Sequence, residues 1–330
     1  MSLHATITAV GSYVPEKVLT NFDLEKMVET NDEWIRTRTG ISERRIAGND
    51  EATSDMSIDA IKQMLDEYDI PPETIDCIIV STVTPDMFFP STACLIQDKI
   101  GASNAWGFDL SAACSGFVFG LETAVQFVEN GKYKRVLLVG ADTMSSITDY
   151  EDRNTCILFG DGAGVALIEP ATREGYGVLD NIMYCDGAGA KFLNMPAGGS
   201  RHPATHETVD KNMHYLYQDG RTVFKYAVNG MANVSTEILE RNNLTGDDVD
   251  FFIPHQANKR IIDAAARKMG LSDDRVVLNI DKYANTTAAT IPLGLHEVIK
   301  DGRLQEGDTV VFATFGAGFT WGATLLRWGQ

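Results

Sequence analysis

The chain resembles itself. ETIDCIIVST, from Glu73 to Thr82, parallels DDVDFFIPHQ, from Asp247 to Gln256, at an offset of 174 residues, and an amphipathic helical stretch precedes each. LETAVQFVENG, ending at Gly131, parallels LGLHEVIKDG, ending at Gly302, at an offset of 171, and each leads into an apolar strand, RVLLVGA or TVVFATF. Two helix and strand blocks in the same order point to a duplicated fold. The strand runs are continuously apolar, as in sheets covered by helices on both faces, so the class is α/β. The halves divide as 1–172 and 173–330.

The pairing places residues as well as elements. The offset of 171 carries Cys114 onto Asn285, so the two are expected to open equivalent helices; the offset of 174 sets His255 opposite Ser81, after equivalent strands. Loops at strand C-terminal ends bind ligands in such sheets, and loops of two halves can meet across a pseudo-twofold axis. Cys114, His255 and Asn285 are therefore predicted to share one site.

Cys114 lies in DLSAACSGFVFGLETAVQFVENG, where an apolar strand runs through small residues into a helix. Unpaired N–H groups and the helix dipole at such a terminus favour a thiolate, which predicts a pKa below the free-thiol value of about 8.5. An inert buried thiol is the other reading of a Cys among small residues. His255, between an apolar strand and a helix, is able to exchange hydrogen bonds near neutral pH or to be structural. Asn285 is suited to an N-cap as well as to a site.

With 330 residues, 44% of them hydrophobic, the chain can bury a large core, and the formal charge of −18 argues against nucleic acid and anionic lipid as partners. No apolar run approaches a bilayer span, and five cysteines without C-x-x-C pairs suit a reducing compartment, so a cytoplasmic location is expected. Between about Met183 and Arg221 the periodicity fails at several Gly and Pro residues, which reads as a long surface excursion or lid. Its His202, His206 and His214 lack Cys or carboxylate partners, so no metal is expected. The order Cys, His, Asn also occurs in papain-like proteases, but AACSGF lacks their local signature.

ACSGF, PHQAN, NTTAA, FGAGFTWG and DEWIRTRTGI together resemble the motifs of the β-ketoacyl-acyl carrier protein synthase III family, and the similarity spans essentially the whole chain. The resemblance implies a thiolase-like, five-layered αβαβα fold, a homodimer, and a decarboxylative condensation of a short acyl-CoA, acetyl-CoA above all, with malonyl-acyl carrier protein. Neither metal nor other cofactor is implied. Cys114 would be the nucleophile, with the N–H groups of Cys114 and Ala317 as the oxyanion hole, and His255 and Asn285 would hold the enolate. Ala317 stands where the family often has Gly. Trp34 and Arg153 would sandwich the CoA adenine, Arg38 would meet phosphate, and Asn258 would contact the pantetheine arm. Lys225, Lys259, Arg260, Arg267 and Lys268 would dock the acidic carrier, and Phe89 would line the acyl pocket of the partner subunit. Relatives in quinolone or polyketide biosynthesis, a thioester hydrolase and a non-catalytic carrier-binding scaffold are the competing readings.

Overall fold

The computed structural model describes residues 4–329. Nine strands form two sheets. In the first, Ala5–Tyr13, Gly162–Pro170, Val136–Asp142, Cys77–Ser81 and Trp106–Leu110 lie side by side in that order. The second runs Gly177–Cys185, Thr320–Arg327, Thr309–Gly316 and Phe251–Pro254. In each, the second strand runs antiparallel to the first and third, and the third pairs in parallel with the fourth. The halves thus share order and direction. Only Trp106–Leu110 lacks a full counterpart, which shrinks in the second half to a single parallel bridge between Phe252 and Val276.

Alternation along the strands sorts their side chains into layers. Cys77 and Ile79 face inward with Phe117, Leu121, Ile291, Leu295 and Phe312, so the helices Gly116–Glu129 and Thr290–Lys300 are sandwiched between the sheets. Ile78 and Val80 face outward onto the helices Thr53–Glu67 and Thr92–Ile100. The helices Gly220–Arg241 and Lys259–Met269 cover the second sheet in the same way. The architecture is therefore the five-layered αβαβα expected, and burial of strands on both faces explains their unbroken hydrophobicity.

One equivalence needs correction. Each central helix is preceded by a one-turn 3₁₀ segment that opens on a positive-φ residue, Ala113 (φ 47°) in one half and Thr287 (φ 49°) in the other. Their offset is 174, which sets Cys114 opposite Ala288; Asn285 stands ahead of its turn. The offset of 171 at the helix ends arises because Thr290–Lys300 has 11 residues and Gly116–Glu129 has 14.

The segment from Met183 to Arg221 is also more regular than its sequence suggests. Met183 to Cys185 complete a core strand, and Leu193–Asn194 pairs with Tyr217–Gln218 in a small ribbon over the site. His214 Nε2 meets the Thr208 hydroxyl at 2.9 Å. Among the described residues, no group of three or more His, Cys, Asp or Glu is arranged to hold a metal ion. No described helix is long and apolar enough to cross a membrane.

Candidate active site

Cys114 sits where the two halves touch. The Thr314 hydroxyl donates to the Cys114 carbonyl at 2.8 Å, and the Ser115 hydroxyl to the Thr320 carbonyl at 3.1 Å, so a hairpin from the second half clamps the turn. Gly316 lies against that turn: a Cβ there would fall 2.9 Å from the Cys114 nitrogen. A side chain at this position would displace the backbone that carries the thiol. Ala317 follows, does not have a positive φ, and lines the apolar side of the Cys114 chamber.

The thiol does not behave as a helix terminus alone would dictate. Burial, first, and the charge of Asp142, second, push it up to about 12, against its own backbone N–H and the Asn285 side chain, which pull it down. Desolvation of the charged form outweighs the terminus, because residues of both halves pack around a thiol that the linear sequence places in a small-residue loop.

His255 is 1% exposed, and burial lowers its pKa to about 3, so its imidazole is neutral. Its backbone N–H donates to the Ala313 carbonyl at 2.8 Å, its Nδ1 lies 2.7 Å from the Thr290 hydroxyl, and its Nε2 is buried without a partner. Asn285 is held on both sides: its N–H donates to the Leu158 carbonyl at 3.0 Å, and its own carbonyl accepts from Gly160 at 3.1 Å. Its Oδ1 accepts the Thr287 N–H at 2.9 Å, which commits the amide oxygen and leaves Nδ2 to face Cys114.

Sequence reasoning missed Asp142, at the end of RVLLVGAD. This wholly buried carboxylate accepts from Thr82, Val83, Thr84, Thr287 and Ala288, and so ties two loops of the first half to the Asn285 loop of the second. A buried Asp after an apolar strand was the available signal; its partners were not.

A cavity of about 670 Å³ joins Cys114, His255 and Asn285 to the surface, past Phe224, Asn258 and Arg260 to Trp34 and Arg38. On the other side of Cys114 lies a smaller apolar chamber of about 200 Å³, lined by Val83, Met144, Ile147, Leu193, Met195 and Leu216. The thiol is thus reached from two directions, one long and partly polar, the other short and greasy.

The remaining expected residues divide. Arg153 lies over the Trp34 ring, 5.0 Å from its centroid, so the two fill the slot between them and Arg153 does not line the cavity. Asn258 caps the Lys259–Met269 helix, accepting from Arg260 N–H and donating to the Arg38 carbonyl at 3.0 Å, yet still lines the tunnel. Arg260 stacks on Phe224 at 4.8 Å and Lys268 donates to Asn233, both leaning on the Gly220–Arg241 helix. Lys259 pairs with Asp263 at 2.8 Å and lines, with Arg267, a cleft on the other flank, so the cations do not form one stripe. Lys225 is exposed. Phe89 is 84% exposed and lies outside both chambers of its own chain.

Comparison with known proteins sets this geometry in a family. Residues 108–187 match the family described as 3-oxoacyl-[acyl-carrier-protein] synthase III, and residues 239–328 match its C-terminal region. The chain is 56% identical over 328 residues to the β-ketoacyl-[acyl-carrier-protein] synthase III of Chlorobium phaeovibrioides, covering 99% of this chain and all of that one. It is 55% identical to the protein of the same name from Chlorobaculum tepidum, with the same coverage. The crystal structure of 3-oxoacyl-[acyl-carrier-protein] synthase III from Aquifex aeolicus superposes with a TM-score of 0.91 at 44% identity, over 98% of this chain and 100% of that one. The priming β-ketosynthase of the R1128 polyketide pathway has the same TM-score at 34% identity, over 99% and 96%.

Proposed function

Because this chain belongs to the β-ketoacyl-[acyl-carrier-protein] synthase III family, the condensing acyltransferases that initiate fatty acid biosynthesis, we propose that Cys114, His255 and Asn285 divide two half-reactions at the floor of one tunnel. The halves 1–172 and 173–330 contribute the nucleophile and the enolate-binding pair respectively.

In the first half-reaction the Cys114 sulfur, having lost its proton, attacks the thioester carbonyl of a short acyl-CoA, acetyl-CoA above all. The N–H groups of Cys114 and Ala317 hold the oxyanion, CoA leaves as a thiolate that takes up a proton, and the acyl group occupies the apolar chamber. Trp34 and Arg153 part to admit the adenine, while Arg38 meets phosphate and Asn258 the pantetheine arm. In the second, malonyl-acyl carrier protein enters the same tunnel, with Arg260 at its mouth and Lys225, Lys259, Arg267 and Lys268 on the surrounding surface as the docking cations. Loss of CO₂ leaves the bond pair on the thioester enolate, whose oxygen accepts from His255 and Asn285. The enolate carbon then attacks the acyl-Cys114 carbonyl and expels the Cys114 thiolate, which regains a proton as 3-oxoacyl-acyl carrier protein forms. No step requires a metal or a further cofactor.

A homodimer fits the edge strand Trp106–Leu110, which carries the half-exposed Trp106 with the Phe108 ring stacked on it and Phe127 and Tyr133 tilted against it. The exposed Phe88 and Phe89 would reach the acyl chamber of the partner. The free state of all five cysteines suits the cytoplasm.

The observation that carries the reading is the convergence of a buried thiol, an unpartnered imidazole Nε2 and an oriented amide at the end of one tunnel. Incubation with acetyl-CoA should give an acyl adduct in intact-mass measurement, absent in Cys114→Ala, and radiolabelled 3-oxoacyl product on addition of malonyl-acyl carrier protein. Turnover to free acid without a malonyl-dependent product would overturn it.

A further inference from the structure

The buried contact between His255 and Thr290 repeats a contact of the first half. Under the offset of 174, His255 corresponds to Ser81 and Thr290 to Gly116, and there the Ser81 hydroxyl donates to the Gly116 carbonyl at 2.8 Å. The fold brings strand end and first helical residue together in both halves. In the second it places a hydroxyl against an imidazole.

A neutral imidazole has one N–H, and whichever nitrogen bears it is decided by the partner of the other. Thr290 Oγ lies 2.7 Å from Nδ1 and 3.1 Å from the Thr287 carbonyl, so its proton has two acceptors, the nearer of which is Nδ1. Cys114 Sγ makes no hydrogen bond to Nε2, which has no partner in the protein. Two arrangements satisfy these distances: Oγ–H to Nδ1 with the ring proton on Nε2, or Nδ1–H to Oγ with Oγ–H to the Thr287 carbonyl. The shorter contact and the chemistry of the site favour the first, since in the second a lone pair on Nε2 would face an incoming carbonyl oxygen with repulsion.

We infer that Thr290 is a positioning residue that donates its hydroxyl proton to His255 Nδ1 and thereby holds the imidazole as the Nε2–H tautomer, a donor aimed into the tunnel. The inference rests on the reading of His255 as an enolate donor. It also separates His255 from Cys114: an imidazole held in this form is no base for the thiol, and the neutrality that burial imposes on His255 keeps Nε2–H from being one of two donors on a cation.

The test is the tautomer itself, by two-bond ¹⁵N–¹H correlation on ¹⁵N-histidine enzyme, with the His255 signals identified by their loss in His255→Gln. The expected wild-type spectrum has a pyrrole-type Nε2 and a pyridine-type Nδ1. Thr290→Val should shift the ring toward Nδ1–H and slow malonyl decarboxylation by about tenfold or more while changing Cys114 self-acylation less than about twofold, and Thr290→Ser should restore both spectrum and rate. A wild-type ring already in the Nδ1–H form overturns the inference without any variant, and so does a Thr290→Val enzyme with unchanged spectrum and decarboxylation. Failure of the donor reading registers elsewhere, as undiminished decarboxylation in His255→Ala, whatever the tautomer.

Discussion

Asn285 Oδ1 accepts the backbone N–H of Thr287 at 2.9 Å, a bond closed two residues along the same loop. An amide whose oxygen is committed must present its nitrogen to the open side, so the loop converts a side chain with two possible faces into a donor toward Cys114 and the tunnel. Asn285→Ala removes that donor and should slow malonyl decarboxylation by a factor of about 10² while reducing self-acylation much less. Asn285→Asp should be worse than Ala in the same step, because a carboxylate oxygen would then face the enolate. Separate half-reaction assays decide it: equal loss of both steps in Asn285→Ala would sink the division of labour.

The duplicated α/β architecture was legible because it rests on local patterns, apolar strands and amphipathic helices repeated in order. Register was less so. The central helix of the second half is three residues shorter, so its C-terminal glycine aligned Cys114 with Asn285 although the 3₁₀ turns pair Cys114 with Ala288. The three chemical residues were readable as motifs, but their environment was not, since Thr314, Thr320 and Gly316 are about 200 positions from the thiol they enclose. Likewise the cations expected to dock the carrier were readable one by one, but not the contacts that divide those of the Lys259–Met269 helix between two flanks.

The raised thiol pKa gives a sign that can be measured. With a pKa pushed up to about 12, the thiolate fraction of Cys114 is small at neutral pH and grows as pH rises, with no levelling in the range where an ordinary cysteine ionises. Alkylation of Cys114 by iodoacetamide, followed by peptide mass spectrometry to separate it from the exposed Cys94 and Cys185, should accelerate about tenfold per pH unit between about pH 7 and 9. A plateau below about pH 8 would mean that the helix terminus prevails over burial after all.

Two arginines near the tunnel mouth should separate carrier docking from CoA binding. Arg267 lies outside the tunnel, so Arg267→Ala should raise KM for malonyl-acyl carrier protein about threefold, more at low salt than at high, and leave the acyl-CoA KM unchanged. Arg260 lines the shared mouth against Phe224, so Arg260→Ala should raise both. Unchanged carrier kinetics in both variants would remove this surface from the docking site.

Asp142 joins the halves directly behind the site, and its removal has opposed effects on stability and on the thiol. In Asp142→Ala the donors of Thr82, Val83, Thr84, Thr287 and Ala288 lose their shared acceptor inside the protein, where an unsatisfied buried group costs about 1–3 kcal/mol and water is not at hand to replace it. Relaxation lets some of these groups find other partners, so a loss on the order of 3 kcal/mol is expected, visible as a lower midpoint in urea unfolding. The same change takes a negative charge away from Cys114, so the thiol of the folded variant should ionise at lower pH and its alkylation profile should shift to the acid side. Loss of stability without that shift would show that Asp142 organises the Asn285 loop but carries no charge that the thiol feels.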